Sequence, residues 1–385
     1  MCVIISRGDN MLKKALVFLL LLSLLIGCKK NETLRKYSNQ TIEAGFDTII
    51  TLIGYTKSES EFNRYFETTK KEFKRYNALF DRYKDYAGVK NIKTINDNAG
   101  IAPVVVDQSI IDMLQLAKEW YVPSGKTFNV TMGAVFEIWH NYRSVGIEKN
   151  SMTPKQYGNV PSLAELQTAD KLSGWDKIQI DATAKTVYIT TKGSSIDVGG
   201  IAKGYATELV SKTLEKDGLT SGIVNAGGNV KLIGKKPDST NWAVGIQSPD
   251  MADSASLDTL YANTSMAVVT SGDYQRYYEG VDKKIYHHII DPVTLFPATQ
   301  VHAVTLLVSD SGLADTLAKP LCILPYKEAL AFLEKFNKDH PDEFLGAVWV
   351  YDLGKQPAGV VGTDVGKFTL VHSENIKKYS RLFTK

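Results

Sequence analysis

The chain lacks an excess of charge of either sign, because its 45 Lys and Arg residues are balanced by 42 Asp and Glu residues. The basic residues are also scattered, which excludes the clustered positive surface that binds nucleic acid. No internal repeat, low-complexity segment or linker divides the sequence. With 19 Tyr and 14 Phe among 385 residues, the composition argues against disorder. We therefore expect one large folded unit.

The N-terminal region has a pattern typical of export. From Met11 the sequence reads MLKKALVFLLLLSLLIGC, two lysines and a short apolar run that ends at Gly27 and Cys28. This order predicts a secretory signal peptide, and a small residue before cysteine resembles the lipobox of bacterial lipoproteins. We expect Met11 to be the true start, residues 1–27 to be removed and Cys28 to be lipidated. The protein would then be exported and anchored to the outer face of the bacterial plasma membrane; a plain signal peptide or signal anchor is the alternative.

Cysteine is rare, and its positions leave no disulfide. Processing removes Cys2 and lipid occupies Cys28, so Cys322 remains alone in an apolar run. We expect Cys322 to be a buried small side chain and not a nucleophile. Residues 28–45 are polar and lack apolar periodicity, which predicts a tether. The folded body is expected at 46–385.

The periodicity of the body mixes helices and strands. Apolar residues recur at helical spacing in 58–84, a second helix is predicted at 108–122, and residues 46–55 are rich in strand formers. Further strands are predicted at 177–181, 186–191, 221–226, 242–247, 258–263, 285–290 and 302–309, with helices at 201–216, 311–323 and 326–336. Strand pairs on short turns, mixed with packed helices, predict an α+β fold instead of a doubly wound sheet.

The stretch IDVGGIAKGYATELV, residues 196–210, has paired glycines and a lysine but fits neither common nucleotide motif. A P-loop needs GxxxxGK before Ser or Thr, and a dinucleotide fold needs GxGxxG. Gly199 and Gly200 permit close backbone approach, and the helix start after them offers free N–H groups to an anion. Asp197 would be an acceptor or a ligand on the metal side, with Lys203 as a point charge. A tight turn with a solvated lysine is the alternative.

Three further segments carry polar residues in unusual contexts. They are NAGGN at 225–229, TSGDYQRYY at 270–278 with YHHIIDPVTLFPA at 286–298, and DSGLADTLAKPLCIL at 310–324. Each is weak alone, since NAGG fits a simple turn and the pair His287 and His288 has the wrong spacing for zinc. Asp315 falls early in a predicted helix.

Taken in order, these segments resemble the FAD:protein FMN transferase (ApbE-like) family, from about Phe46 to near the C-terminus. The resemblance implies a single α+β body related to the T-fold. It also implies an enzyme that binds FAD, cleaves its diphosphate, releases AMP and attaches FMN by phosphoester to a Ser or Thr of another exported protein. The implied acceptors are subunits of membrane redox pumps and flavin-bearing reductases. Such a transfer needs a cation, donors for developing charge and a proton acceptor.

The resemblance also implies roles for single residues. Asp315 and the Gly200 carbonyl would bind Mg²⁺, and His288 would transfer the proton, so His288 and Asp315 are the expected catalytic residues. The residues expected to contact FAD are Tyr83, Thr127, Phe128, Asn129, Asp197, Lys203 and Ile289. Two positions depart from the family pattern, because Asn129 replaces an aspartate and Lys319 replaces a metal-ligand threonine.

Lys319 leaves several interpretations open, because an ammonium has no lone pair for a metal. It lies one helical turn after Asp315, so it would either pair with that carboxylate or swing outward while water completes the metal shell. Pro320 is expected to disturb the helix there. The alternatives to a transferase are an FAD-binding lipoprotein with little or no activity, a metal-dependent FAD pyrophosphatase, and an adhesion or solute-binding lipoprotein.

Overall fold

The computed structural model describes residues 33–253 and 255–384, so the expected signal peptide and Cys28 lie outside the described residues. The helices are α1 (Glu59–Phe80), α2 (Ile92–Asp97), α3 (Gln108–Tyr121), α4 (Gly133–Ser151), α5 (Leu163–Asp170), α6 (Ala202–Lys216), α7 (Ser311–Ile323) and α8 (Tyr326–Asp339). The strands are β1 (Arg35–Thr41), β2 (Ile50–Thr56), β3 (Val104–Val105), β4 (Ile178–Asp181), β5 (Thr186–Ile189), β6 (Ser221–Ala226), β7 (Asn229–Gly234), β8 (Trp242–Gln247), β9 (Ser256–Ala262), β10 (Ala267–Gly272), β11 (Tyr277–Glu279), β12 (Ile285–His287), β13 (Ala303–Val308), β14 (Leu345–Asp352), β15 (Thr363–Val365) and β16 (Phe368–His372).

A nine-stranded antiparallel sheet forms the centre of the protein, in the order β1-β2-β6-β7-β10-β13-β14-β16-β15. The middle strands β13 and β14 are buried along almost their whole length. Their sequences AVTLLV and LGAVWVYD are nearly continuous apolar runs, as expected for strands covered on both faces. Helices and antiparallel sheets in one body confirm the α+β prediction.

Two apolar layers cover the central sheet. Helices α1, α6, α7 and α8 belong to the large core on one face. On the other face the β8–β9 hairpin contributes Trp242, Ile246 and Leu260 to a second core with β13 and β14. The helix layer matters for function, because it places α6 against α7.

A third apolar cluster joins α4 and α5 to the β11–β12 hairpin. Trp139 of α4 stacks on Tyr286 with ring centroids 5.6 Å apart. The ring of Tyr278 lies so close to Gly146 that a Cβ there would meet its Cδ2 at 2.3 Å. Any larger residue at position 146 would therefore push the hairpin away from α4. This packing sets the position of the residues at both ends of the hairpin.

Part of the predicted tether at 28–45 is a strand. Residues Arg35–Thr41 form β1, which pairs along its whole length with β2 at the edge of the central sheet. Its side chains are mostly exposed and polar, so the sequence RKYSNQT shows no apolar alternation. Polar edge strands of this kind resist pairing with other chains.

Several predicted elements are confirmed with small changes in length. α1 starts one residue after Ser58, whose side chain accepts the Glu61 N–H. It ends at Phe80, before the predicted 84, because the Asp81 side chain accepts the N–H groups of Tyr83 and Lys84 and turns the chain. Cys322 is buried and free, as predicted, and burial raises the pKa of its thiol to about 12. Among the helices described, none has the length and apolar content needed to span a membrane.

Candidate active site

The close approach of α6 and α7 forms the floor of the site. A Cβ on Gly204 of α6 would lie 2.2 Å from the Ser311 carbonyl, so only glycine fits there. This contact lets the Gly204 N–H donate to Oδ2 of Asp315 on α7 at 2.6 Å. Asp315 is only 5% exposed, so its carboxylate is held in place within the helix layer.

The Asp197 carboxylate is held by two partners. Its Oδ2 lies 2.8 Å from an Arg82 guanidinium nitrogen, and its Oδ1 accepts the Gly199 N–H at 2.8 Å. Arg82 also donates to Glu137 Oε2 and to the Gly133 carbonyl at the start of α4. Asp197 therefore holds the Gly199–Gly200 turn against α4, in addition to any contact it makes with a ligand.

Lys203 joins the first motif to the NAGGN motif. Its ammonium donates to the Gly227 carbonyl at 2.8 Å. Gly227 and Gly228 form the two-residue turn between β6 and β7, and both have positive φ, +53° and +91°. Such a turn strongly favours glycine. Two glycine-rich segments that are separate in sequence thus meet at one lysine.

The two histidines of the HHIIDP segment have different environments. His287 is buried, with Nε2 2.7 Å from the Ala298 carbonyl and Nδ1 accepting the Ile289 N–H at 3.2 Å. These bonds make His287 a structural residue that positions Ile289, which is itself buried. His288 is exposed, and its side chain makes no hydrogen bond within residues 33–253 and 255–384. His288 is therefore the histidine available to a substrate.

Lys319 turns inward, which contradicts both orientations expected from the sequence. Its ammonium donates to the Asp315 main-chain carbonyl at 3.1 Å instead of pairing with the carboxylate. Its Cε lies 3.2 Å from where a Cβ on Gly200 would be. The expected disturbance at Pro320 is also absent, since α7 continues through it to Ile323. A proline in the last turn removes only one helical hydrogen bond.

Cationic groups dominate the electrostatics of the site. Desolvation and then the charges of His287, Arg143, Arg276 and Lys319 lower the pKa of His288 well below its usual value. The ring reaches solvent, but all four neighbouring groups lower its pKa. Desolvation, Arg276 and Lys319 also lower the pKa of Lys203, against the opposing charge of Asp315. His288 is thus a neutral base at pH 7 inside a positive field.

The remaining residues expected at the flavin have mixed positions. Tyr83 is 44% exposed and stacks on His140 with ring centroids 4.5 Å apart. Phe128 is buried beside Gly200, with Cε2 3.7 Å from a Cβ built there. Thr127 and Asn129 bond locally, to the Ser124 carbonyl and to Thr131 respectively. Tyr83 and Phe128 therefore face the site region, while Thr127 and Asn129 shape the loop beside it.

The oxygen donors fit a magnesium ion only in part. Asp315 offers one carboxylate, and the Gly200 carbonyl accepts no backbone hydrogen bond in the described part of the chain because Gly204 donates to Asp315 instead. Mg²⁺ is often held by one or two carboxylates, waters and substrate phosphates. Among the described residues, no three His, Cys, Asp or Glu side chains are grouped to hold a metal. The ammonium of Lys319 lies where a further ligand would be expected.

Fold and site together define a class of protein. An α+β body presents half-buried and exposed cationic groups, a held carboxylate and a histidine that makes no side-chain hydrogen bond within the described residues. This arrangement suits a phosphorylated ligand with proton transfer beside it. Residues 46–341 match the family model described as the ApbE family. The chain therefore belongs to the ApbE family.

Relatives and solved structures agree with this assignment. A protein named FAD:protein FMN transferase from Treponema pallidum is 32% identical over 259 residues, 64% of this chain and 68% of its own length. Another of the same name, from Klebsiella pneumoniae, is 28% identical over 72% of this chain and 79% of its own length. The ApbE protein of Thermotoga maritima is 27% identical and superposes with a TM-score of 0.72 over 90% of this chain and all of its own.

Three arginines of the site were missed from the sequence. Arg82 lies in the FDRY segment beside Tyr83 and holds Asp197, which is 115 residues away. Arg276 lies in the TSGDYQRYY motif, and Arg143 lies on α4, for which no helix was predicted. The signal for Arg276 was its place inside a motif already singled out; Arg143 carried no such signal.

Proposed function

We propose that this protein is an FAD:protein FMN transferase, which cleaves FAD and attaches FMN to a Ser or Thr of an exported acceptor. Family membership and the names of two relatives support flavin transfer. The observation that carries the chemistry is His288, a neutral and unbonded base among cationic side chains. The acceptor would be a membrane redox-pump subunit or a flavin-bearing reductase.

The transfer is a displacement at the phosphorus next to the flavin half of FAD. The acceptor hydroxyl oxygen forms a new P–O bond, the bond from that phosphorus to the bridging oxygen breaks, and AMP leaves with the bridging oxygen. The hydroxyl proton passes to His288. Because desolvation and then cationic neighbours lower the pKa of His288, its ring is free to accept that proton at neutral pH. Its exposure lets a protein-borne hydroxyl reach it.

Fixed positive charge binds the diphosphate and stabilises the charge that develops on it. Within the described residues, the Lys203 ammonium donates only to the Gly227 carbonyl, which leaves two of its three hydrogens for a ligand. Lys319 places a second ammonium beside Gly200. Donors already oriented at developing negative charge lower the barrier, because they need no reorganisation during the reaction.

A divalent cation would be held by Asp315 and the Gly200 carbonyl, with water and the diphosphate completing its shell. When bound, Mg²⁺ would neutralise charge on the diphosphate. Lys319 already places a positive charge there, at the position where the family pattern has a threonine. We therefore propose that FAD binding depends only weakly on Mg²⁺ in this protein.

An acceptor assay tests the proposed function and separates transfer from hydrolysis. The protein after Cys28 is mixed with FAD, Mg²⁺ and a candidate exported acceptor, and a denaturing gel is imaged for flavin fluorescence. We expect a fluorescent acceptor band that is absent when the acceptor Ser or Thr is changed to Ala. Free FMN and AMP with a dark acceptor would instead identify a pyrophosphatase.

We further propose that the protein is lipid-anchored through Cys28, on the outer face of the plasma membrane. The support is the basic segment, the apolar run and Gly27 directly before Cys28. In cells fed a fatty-acid analogue, the wild type should be labelled and Cys28→Ser should not. Equal labelling of both forms would contradict a lipid on this cysteine.

A further inference from the structure

Arg143 and Arg276 are brought together by the packing of α4 on the β11–β12 hairpin. Arg143 lies three residues before Gly146, and therefore on the same side of α4. Arg276 directly precedes β11, two residues before Tyr278. Because Gly146 packs directly against the Tyr278 ring, both arginines lie near the same α4–hairpin contact, and the charge of Arg276 acts on Arg143.

The hairpin register places this region beside His288. Tyr277 pairs with His287 and Tyr278 with Tyr286 across the antiparallel ladder. Arg276 directly precedes Tyr277 and His288 directly follows His287, so both residues leave the ladder at the same end. Arg143 and Arg276 both act electrostatically on His288, and Arg276 acts on Lys203 as well. Both arginines thus lie near enough to His288 to act on its charge, and Arg276 also acts on Lys203 at the floor of the site.

Neither arginine has an anionic partner. In residues 33–253 and 255–384, neither guanidinium makes a hydrogen bond or an ion pair, whereas Arg82 and Arg75 each bind carboxylates. Arg143 is half-buried, and burial together with Arg276 lowers its pKa against the opposing charge of Asp197. Two like charges held near each other without a direct ion-pair partner favour a bound anion.

We propose that Arg143 and Arg276 form a subsite that binds the phosphoryl group of a flavin nucleotide beside His288. A guanidinium offers a planar fork of donors that matches phosphate oxygens in pairs, and a doubly charged phosphate relieves the repulsion between two arginines. This inference rests on the proposed function, since it identifies residues that hold the flavin phosphate for transfer.

Riboflavin and FMN test the subsite, because they differ only by one phosphate. Binding is measured by quenching of flavin fluorescence, with Mg²⁺ present throughout and no acceptor, so that no transfer takes place. We expect wild type to bind FMN more tightly than riboflavin. Arg143→Gln and Arg276→Gln should each weaken FMN binding about tenfold or more, the usual effect of losing a charged hydrogen bond. Riboflavin binding should change little.

Control variants separate a phosphate contact from a structural effect. Arg64→Gln, at an exposed arginine on α1, should bind both flavins like wild type. Arg143→Lys and Arg276→Lys keep the charge without the fork, so each should recover only part of the lost FMN affinity. Equal loss of riboflavin and FMN, or a wild type without preference for FMN, would overturn the subsite. Neither outcome depends on whether the acceptor becomes labelled, so the proposed function is judged separately.

Discussion

His288→Ala should lower the rate of FMN transfer by about 10²–10⁴-fold, the usual contribution of a general base. FAD affinity should stay close to that of wild type, because the ring makes no hydrogen bond in the described structure and the proposed diphosphate contacts come from other side chains. Single-turnover transfer rates and FAD titrations measure the two quantities apart. His340→Ala, at an exposed histidine directly after α8, is the matched control and should transfer at the wild-type rate.

The pH profile gives a second readout for His288. Its pKa is lowered, so the neutral base persists as the pH falls through about 6.5, the usual histidine value. The transfer rate should stay level there and decline only at more acid pH. Arg276→Gln removes one of the positive neighbours, so its acid limb should move to higher pH. If His288→Ala shows the wild-type rate and the same acid limb as wild type, His288 is a structural residue.

Lys319→Thr should make FAD binding dependent on Mg²⁺. In wild type, the affinity measured in EDTA should lie within about threefold of that in Mg²⁺, because the ammonium beside Gly200 already supplies positive charge. Removing it should weaken binding in EDTA by about tenfold to a hundredfold, the value of a charged hydrogen bond. Adding Mg²⁺ should restore binding, because threonine supplies an oxygen ligand, and Mg²⁺-dependent transfer should rise.

Two further variants define this effect. Asp315→Asn in the Lys319→Thr background should abolish the response to Mg²⁺, since it removes the carboxylate ligand. Lys327→Thr, at an exposed lysine on α8, should behave as wild type. Pro320 needs no replacement, because α7 is already continuous. If wild-type binding depends fully on Mg²⁺ and Lys319→Thr only weakens it, Lys319 is an accommodated variant of an ordinary metal site.

Elements with strong periodicity were predictable from the sequence. Phe62, Phe66 and Phe73 recur at helical spacing and are all buried in α1. Strand β1 was missed because an edge strand needs no apolar face, and its sequence shows none. Helix α4 was missed because the buried Val135 and Trp139 stand beside the partly exposed apolar residues Phe136 and Ile138, so the sequence shows no single apolar face.

Within the site, the sequence motifs predicted the positions of residues better than helical spacing did. Lys319 was placed within reach of Asp315 by helical spacing, yet its ammonium bonds the carbonyl while the Gly204 N–H occupies one carboxylate oxygen. That N–H comes from another helix, so spacing within α7 could not reveal it. The arginines Arg143 and Arg276 meet through α4–hairpin packing, which is a property of the tertiary structure.

The intact mass of an acceptor protein tests the central proposal most directly. After incubation with FAD, Mg²⁺ and wild-type protein, the account predicts an acceptor heavier by FMN less one water, with one AMP released per modified chain. An acceptor of unchanged mass, with FAD either intact or split into free FMN and AMP, would contradict transfer.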